Sequence, residues 1–177
     1  PALKLQEIHE TFYFIADYHA LTTLREAPLL QEYTYDLTAT FAALGMDFDR
    51  HTFYRQSDVP EVTELTWMLS CVTGKGLLDR AHAFKDASTK GQEINMGLYN
   101  YPILMAADIL LYDTNFVPVG KDQQQHLEMT RDMAIHFNNT FGEALVVPEA
   151  LIENKVATIP GLDGQKMSKS YNNIIPL

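Results

Sequence analysis

The chain has 177 residues, of which 46% are hydrophobic and 20% charged, a composition typical of a folded globular domain. Its formal net charge of −10 argues against a broad surface that neutralises nucleic-acid phosphates, but not against a local basic site. The single cysteine, Cys71, excludes an internal disulfide framework, and the six histidines show no metal-ligand spacing. No run of the sequence approaches the roughly 20 apolar residues of a membrane span. We therefore expect a cytoplasmic protein without a structural metal.

The first strand–helix unit lies near the start of the chain. The apolar and aromatic run from Phe12 to Ala16 is typical of a strand buried on both faces. Pro28 suits the first position of the following helix, and Gly45 suits its end. The predicted apolar stripe of this helix repeats every four positions: Leu29, Tyr33, Leu37 and Phe41.

Two further units repeat the pattern. Thr52 to Arg55 predicts a strand, and Ser57 or Asp58 is a candidate cap for the helix that follows it. Phe116 to Val119 predicts the third strand, although Pro118 is unusual inside a sheet. The apolar stripe of the second helix is Val62, Leu65, Leu69 and Val72, and that of the third is Leu127, Thr130, Ala134 and Phe137.

Two helical stretches separate the second unit from the third. One spans about residues 76–84 and the other about residues 94–112. Pro102 lies inside the second stretch, where its missing N–H should kink or restart the helix.

Repeated strand–helix units imply a parallel α/β sheet, in which ligands bind at the carboxyl ends of the strands. Polar residues stand just past each predicted strand: Asp17, His19, Gln56, Ser57, Gly120, Asp122 and Gln123. We therefore expect these residues near a binding site.

Asp108 stands alone among apolar and aromatic residues in the stretch PILMAADILLY. A buried carboxylate costs several kcal/mol unless a donor pairs with it. In one interpretation the fold itself supplies that donor. In the other, Tyr101, Met105 and Asp108 share a helix face and line an apolar pocket for a flat ligand that carries one donor.

The stretch GLDGQKMSKSYNN contains two glycines, two lysines and two hydroxyls close to them. Lys166, Ser168, Lys169 and Ser170 are suited to phosphate oxygens, although an exposed polar loop has a similar composition. Gly120, between a strand and a helix, suits an anion or a ribose. Asp122 is equally typical of a helix cap, and His19 of a packing histidine.

The string KMSKS at 166–170 resembles the signature loop of class I aminoacyl-tRNA synthetases. The stretches FIADYHALT, YPILMAADILLYDTNFVPVGKDQQQH and FGEALVVPEALI are similar to those of bacterial-type tryptophanyl-tRNA synthetases. The resemblance extends over nearly the whole chain. It implies a Rossmann-like catalytic domain that activates tryptophan with ATP and Mg²⁺ and transfers it to tRNA(Trp).

The resemblance also implies roles for individual residues. Asp108 would accept the indole N–H, and Met105 would pack on the ring. The amino acid's ammonium and carboxylate would be bound by Tyr101, Gln123 and His19. ATP would contact Gly120, Lys121, Asp122, Ile159, Lys166, Met167, Ser168, Lys169 and Ser170, with Lys166 and Lys169 as the catalytic pair.

We expect residues 1–177 to form part of such a catalytic domain, with a helical insertion at about 58–113. The family's first strand and its His-x-Gly-His-type turn, and its anticodon-binding part, are not found in the sequence. The resemblance implies a homodimer, with the segment from Val59 to Cys71 as a candidate contact surface. Two alternatives stay open: a tyrosyl or other class I ligase, and a non-catalytic module that binds tryptophan.

Overall fold

The computed structural model of the chain describes residues 2–81, 89, 94–120, 123–152, 161, 163–165, 167 and 173. The helices and strands alternate as the sequence predicts. In chain order they are α1 (Ala2–Leu5), β1 (Phe12–Ile15), α2 (Asp17–Ala20), α3 (Ala27–Ala43), β2 (Thr52–Arg55), a 3₁₀ turn (Gln56–Asp58), α4 (Glu61–Val72), α5 (Lys75–Leu78), α6 (Met96–Leu110), β3 (Phe116–Val119), α7 (Gln124–Phe141) and β4 (Glu149–Ile152).

The described strands form two parallel pairs. In the first pair Phe12 of β1 lies opposite Thr52 of β2, and in the second Phe116 of β3 lies opposite Glu149 of β4. The parallel arrangement and the bounds of β2 and β3 confirm the predictions, whereas β1 ends one residue earlier than predicted and β4 was not predicted. Among the described strands, β3 pairs only with β4. A strand paired on one side tolerates a residue without an N–H, which accounts for Pro118.

Helices α4, α6 and α7 pack together to form the core. Each contributes a stripe of small and branched residues, and small residues let the helices approach closely. The fully or nearly fully buried members are Val62, Leu65, Leu69, Ile103, Ala106, Ala107, Leu110, Met129, Met133 and Ala134. The predicted stripes of α4 and α7 are confirmed, except that Val72 and Phe137 are only half-buried.

The predicted stripe of α3 is only partly correct. No residue of α3 is buried, and Tyr33 is 51% and Leu37 40% exposed. The half-buried residues of the helix are Leu29, Leu30, Thr34, Thr38, Thr40 and Phe41, so two members of the predicted stripe are half-buried and two are exposed. The predicted stop is confirmed, because Gly45 follows the helix with a φ of 90°, a conformation that favours glycine.

The predicted cap of α4 is wrong. Neither Ser57 nor Asp58 caps α4, because both lie in the 3₁₀ turn before it. The Asp58 carboxylate instead pairs with the Arg55 guanidinium at 2.5 Å.

Helix α6 runs through Pro102 without restarting, and its first turn is capped by the Asn95 side chain, which accepts from the Leu98 N–H at 2.8 Å. Of the helix predicted at 76–84, the structure describes Lys75–Leu78 as helical, and residues 82–88 lie outside the described part.

A cavity of about 380 Å³ separates the two strand pairs. Its lining is mostly aromatic or apolar and includes residues of all four described strands and of α6, with three acidic residues: Glu10, Asp108 and Asp113. Representative lining residues are Phe12, Phe14, Tyr54, Asp108, Tyr112 and Val117. No helix in the described part of the chain has the length and apolar character needed to cross a membrane.

Candidate functional site

Asp108 is buried in the last turn of α6 and is hydrogen-bonded to residues of two other elements. The Gln56 amide nitrogen lies 2.8 Å from Oδ1 and 2.9 Å from Oδ2. The His19 Nε2 lies 2.9 Å from Oδ2. The fold therefore supplies donors to this carboxylate, as the first interpretation of the sequence required.

Burial raises the pKa of Asp108 above its ordinary value, because desolvation disfavours the charged form. The hydrogen bonds from His19 and Gln56 act in the opposite direction and lower the pKa. The nearby Asp17 carboxylate raises it further. The charge on Asp108 therefore depends on the two donors that face it.

The Asp108 carboxylate has one hydrogen-bond acceptor position that its described contacts do not fill. An ionised carboxylate offers about four acceptor positions. Its described contacts number three, two of them at Oδ2 and one at Oδ1. Asp108 also lines the 380 Å³ cavity. The other residues predicted to bind the amino acid, His19, Tyr101, Met105 and Gln123, do not line this cavity.

The ends of β1 and β2 are bonded to each other in both directions. The Tyr18 N–H donates to the Gln56 Oε1 at 3.1 Å. In return, the Asp17 carboxylate accepts from the Ser57 N–H at 3.0 Å and from the Ser57 hydroxyl. These contacts fix the short helix α2, which carries His19, against the turn that carries Gln56.

Tyr101 of α6 connects the surroundings of Asp108 to α7 through a hydrogen bond. Its hydroxyl lies 2.8 Å from the His126 Nε2, and its ring meets the His19 ring edge-on with centroids 6.2 Å apart. Burial raises the pKa of Tyr101, so its hydroxyl stays protonated near neutral pH. Met105 is half-buried on the same helix, one turn before Asp108. His19, Tyr101 and Asp108 thus lie close together, while their roles toward a ligand stay predictions.

The turn between β3 and α7 is built from backbone contacts. Gly120 is exposed, and its carbonyl accepts from the Gln123 N–H at 3.0 Å. Gln123 is exposed immediately before α7. Lys121 and Asp122 lie outside the described residues.

Most of the predicted phosphate-binding segment also lies outside the described residues, including Ile159, Lys166, Ser168, Lys169 and Ser170. Met167 is described and half-buried. The residues on either side of the segment are joined, because the Asn173 amide donates to the Asp163 carboxylate at 2.8 Å. A Cβ at Gly161 would lie 2.4 Å from the Asn173 carbonyl oxygen, so the close approach requires glycine there.

Sequence reasoning missed two partners. Gln56 was noted for its place after a strand, but not as a partner of Asp108, which is 52 residues away. The signal was its position, since carboxyl ends of neighbouring parallel strands meet at one edge. His126 carried no signal beyond its nearness to the β3–α7 turn. In the part of the chain that the structure describes, no group of His, Cys, Asp and Glu residues is arranged to hold a metal ion.

Parallel strands alternating with helices, with polar residues gathered at the ends of β1 and β2, define a Rossmann-like α/β domain. Comparisons with known proteins agree. The model of the family described as "tRNA synthetases class I (W and Y)" matches residues 1–177. The chain belongs to this family.

Within this family, the chain is similar to tryptophan–tRNA ligases. The tryptophan–tRNA ligase of Pseudomonas syringae pv. tomato is 56% identical over 95% of the chain and 40% of that protein, and that of Fusobacterium nucleatum is 56% identical over 98% and 54%. The tryptophanyl-tRNA synthetase of Campylobacter jejuni, solved with ADP and tryptophan, superposes with a TM-score of 0.91 at 49% identity over 97% of the chain and 54% of that protein. The chain thus spans about half the length of these relatives.

Proposed function

We propose that the chain forms the tryptophan-recognising part of a tryptophan–tRNA ligase. The observation that carries the proposal is the buried Asp108 carboxylate, which keeps one acceptor position beyond its contacts with Gln56 and His19. Its place in a family whose relatives are curated as tryptophan–tRNA ligases supports the choice of ligand.

Indole is apolar except for one N–H, so a buried acceptor in an apolar wall is suited to select it. A site built around one substrate hydrogen bond rejects an analogue without that donor by about 10⁴–10⁵. Phenylalanine lacks the donor. In this proposal Asp108 accepts the indole N–H and Met105 packs on the ring, while Tyr101, Gln123 and His19 bind the amino acid's polar groups.

The proposed reaction has two steps. An oxygen of the tryptophan carboxylate attacks the α-phosphorus of ATP, which forms tryptophanyl-adenylate and releases pyrophosphate. A ribose hydroxyl at the end of tRNA(Trp) then attacks the acyl carbon, and AMP leaves. Lys166 and Lys169, with the Mg²⁺ that accompanies ATP, are suited to stabilise charge on the departing pyrophosphate. These lysines are assigned from the sequence, as are the ATP contacts at Gly120, Lys121, Asp122, Ile159, Met167, Ser168 and Ser170.

Calorimetry of the 177-residue chain with tryptophan, tyrosine and phenylalanine tests ligand choice. Pyrophosphate exchange tests catalysis, in a chimaera in which these residues replace the matching part of the Campylobacter jejuni enzyme. Tryptophan-dependent exchange, with tighter binding of tryptophan than of tyrosine, is expected. A preference for tyrosine would indicate a tyrosyl enzyme. Tryptophan binding without exchange in the chimaera would indicate a non-catalytic binding module.

We also propose that α4 contacts a second copy of the chain. Its outward side presents Trp67, which is 73% exposed, Met68, which is 49% exposed, and Cys71. Adjacent apolar side chains of this size are typical of an interface. Light scattering should give a dimer for the unmodified chain and a monomer for Trp67→Lys. Tyr35→Lys, at a 67% exposed aromatic on α3, is the matched control and should leave the dimer intact.

The cytoplasmic location expected from the sequence stays a prediction.

A further inference from the structure

Gln56 is fully buried between the end of β2 and helix α6. A glutamine side chain in such a position requires partners for both ends of its amide. It has them: the nitrogen contacts both oxygens of Asp108, and the oxygen accepts from the Tyr18 N–H.

These partners fix the orientation of the Gln56 amide. The flipped amide would place its oxygen against the Asp108 carboxylate and its N–H₂ against the Tyr18 N–H, so both contacts would become repulsive. The observed orientation is therefore the one that the surrounding groups permit. A side chain locked at both ends is well suited to hold a third group in place.

The contact geometry limits what the Asp108 carboxylate can do. Because one nitrogen lies almost equally far from both oxygens, it holds the carboxylate end-on from the β2 side. His19 contacts Oδ2. The acceptor position that is left belongs to Oδ1. Without Gln56 the carboxylate could rotate, and the buried charge would lose one of its two donors.

We propose that Gln56 is a positioning residue that determines specificity: it holds Asp108 so that Oδ1 keeps one acceptor position for the N–H donor of an aromatic amino acid. This inference rests on the proposed function, because it assumes that Asp108 meets the indole N–H. Gln56 itself does not contact the ligand in this arrangement. Its effect should therefore concern the single hydrogen bond made through Asp108, and not the packing of the ring.

The test compares tryptophan with 3-(3-benzothienyl)alanine, a near-isosteric analogue in which sulfur replaces the indole N–H. The ratio of their dissociation constants measures the contribution of that one donor. Calorimetry gives this ratio for the unmodified chain, Gln56→Met, Asp108→Asn and the double variant. Gln6→Met is the matched control, since Gln6 also uses both ends of its amide, on the Gly45 carbonyl and the Asp47 N–H, but has no contact with Asp108.

The unmodified chain should prefer tryptophan, and Gln56→Met should reduce that preference roughly tenfold. Gln6→Met should leave it unchanged. In the Asp108→Asn background, Gln56→Met should cause no further reduction, because the two residues act through the same hydrogen bond. Should Gln56→Met not fold, Gln56→Asn is one methylene too short to reach both partners and should lower the preference as well.

Two results would overturn the proposal. One is an equal loss of affinity for both ligands in the Gln56 variants, which indicates a purely structural role. The other is the same reduction with and without Asp108. An unmodified chain that does not prefer tryptophan over the analogue would instead contradict the proposed function itself, so the two failures are distinguishable.

Discussion

The carboxyl ends of the two strand pairs are built in different ways. At the end of β1 and β2, side chains bind one another and reach Asp108 on α6, through Asp17, Gln56 and Ser57. At the end of β3, a backbone hydrogen bond closes the turn between Gly120 and Gln123. The first end presents fixed side-chain groups, which suit recognition of one particular ligand. The second presents backbone and an exposed amide, which suit groups common to many ligands.

Asp108→Asn should have the largest effect on ligand binding. The substitution keeps the volume of the side chain but removes the charge that meets the proposed donor. We expect tryptophan to bind about 100-fold more weakly, since hydrogen bonds to charged groups contribute about 1.5–3 kcal/mol. Calorimetry measures this change. Asp132→Asn, at an exposed position of α7, is the control and should bind tryptophan normally.

The raised pKa of Asp108 predicts opposite pH dependences for binding and for stability. Binding needs the ionised form, so tryptophan affinity should fall as the pH drops below the raised pKa, by up to about tenfold per pH unit. Stability behaves differently, because the folded protein holds the Asp108 proton more tightly than the unfolded chain. The contribution of Asp108 to stability is greatest below the ordinary value of 3.8 and declines as the pH rises to the raised pKa.

The free energy of unfolding of the unmodified chain minus that of Asp108→Asn isolates this contribution. The difference should decrease between pH 3.8 and the raised pKa and then level off. His19 and Asp17 also face Asp108, and both are unchanged in the two proteins compared. A difference that increases with pH would show that the Asp108 pKa is lowered.

Ser57→Ala tests the bond between the two strand ends. It removes one hydroxyl donor to the Asp17 carboxylate, and we expect a loss of about 1–2 kcal/mol in the free energy of unfolding. Chemical denaturation measures the loss. Ser70→Ala is the matched control, because the Ser70 hydroxyl donates to a carbonyl within its own helix, that of Thr66. An equal loss in both variants would show that the contact with Asp17 stabilises the fold no more than a hydrogen bond within one helix.

Gln123→Ala should have the smallest effect. Gln123 is exposed at the β3 end, so its loss should change the free energy of unfolding by less than about 0.5 kcal/mol. If it binds the amino acid as proposed, tryptophan affinity should still fall about three- to tenfold. Gln124→Ala, at the neighbouring exposed glutamine, should change neither quantity. Unchanged affinity in Gln123→Ala would remove this residue from the proposed site.

Periodicity predicted the parts of the fold in which burial follows a simple repeat. The stripes of α4 and α7 and the strands β2 and β3 are examples. It failed in part for α3, where Tyr33 and Leu37 are exposed and the half-buried residues include threonines that an apolar pattern does not count. It did not place the cap of α4, because the 3₁₀ turn takes up Ser57 and Asp58.

The sequence predicted where the site lies but not which of its residues are hydrogen-bonded to one another. The isolated carboxylate in α6 and the polar residues after β1 and β2 pointed to one region. The pairing of Gln56 with Asp108 depends on how α6 lies against the end of β2, and a residue pattern carries no such distance. The first interpretation of Asp108 is confirmed, since its own chain supplies donors to it, and the second, a ligand pocket shared with Tyr101 and Met105, stays a prediction.

The cavity between the strand pairs has a consequence for handling the protein. Within the described residues, β1 pairs only with β2 and β3 only with β4, and residues of β1 and β3 line the cavity. Strand edges next to apolar side chains such as Phe12 and Phe116 invite pairing with other polypeptides. Purified at high concentration, these 177 residues should therefore form soluble aggregates that depend on concentration, and low protein concentrations suit the calorimetry best.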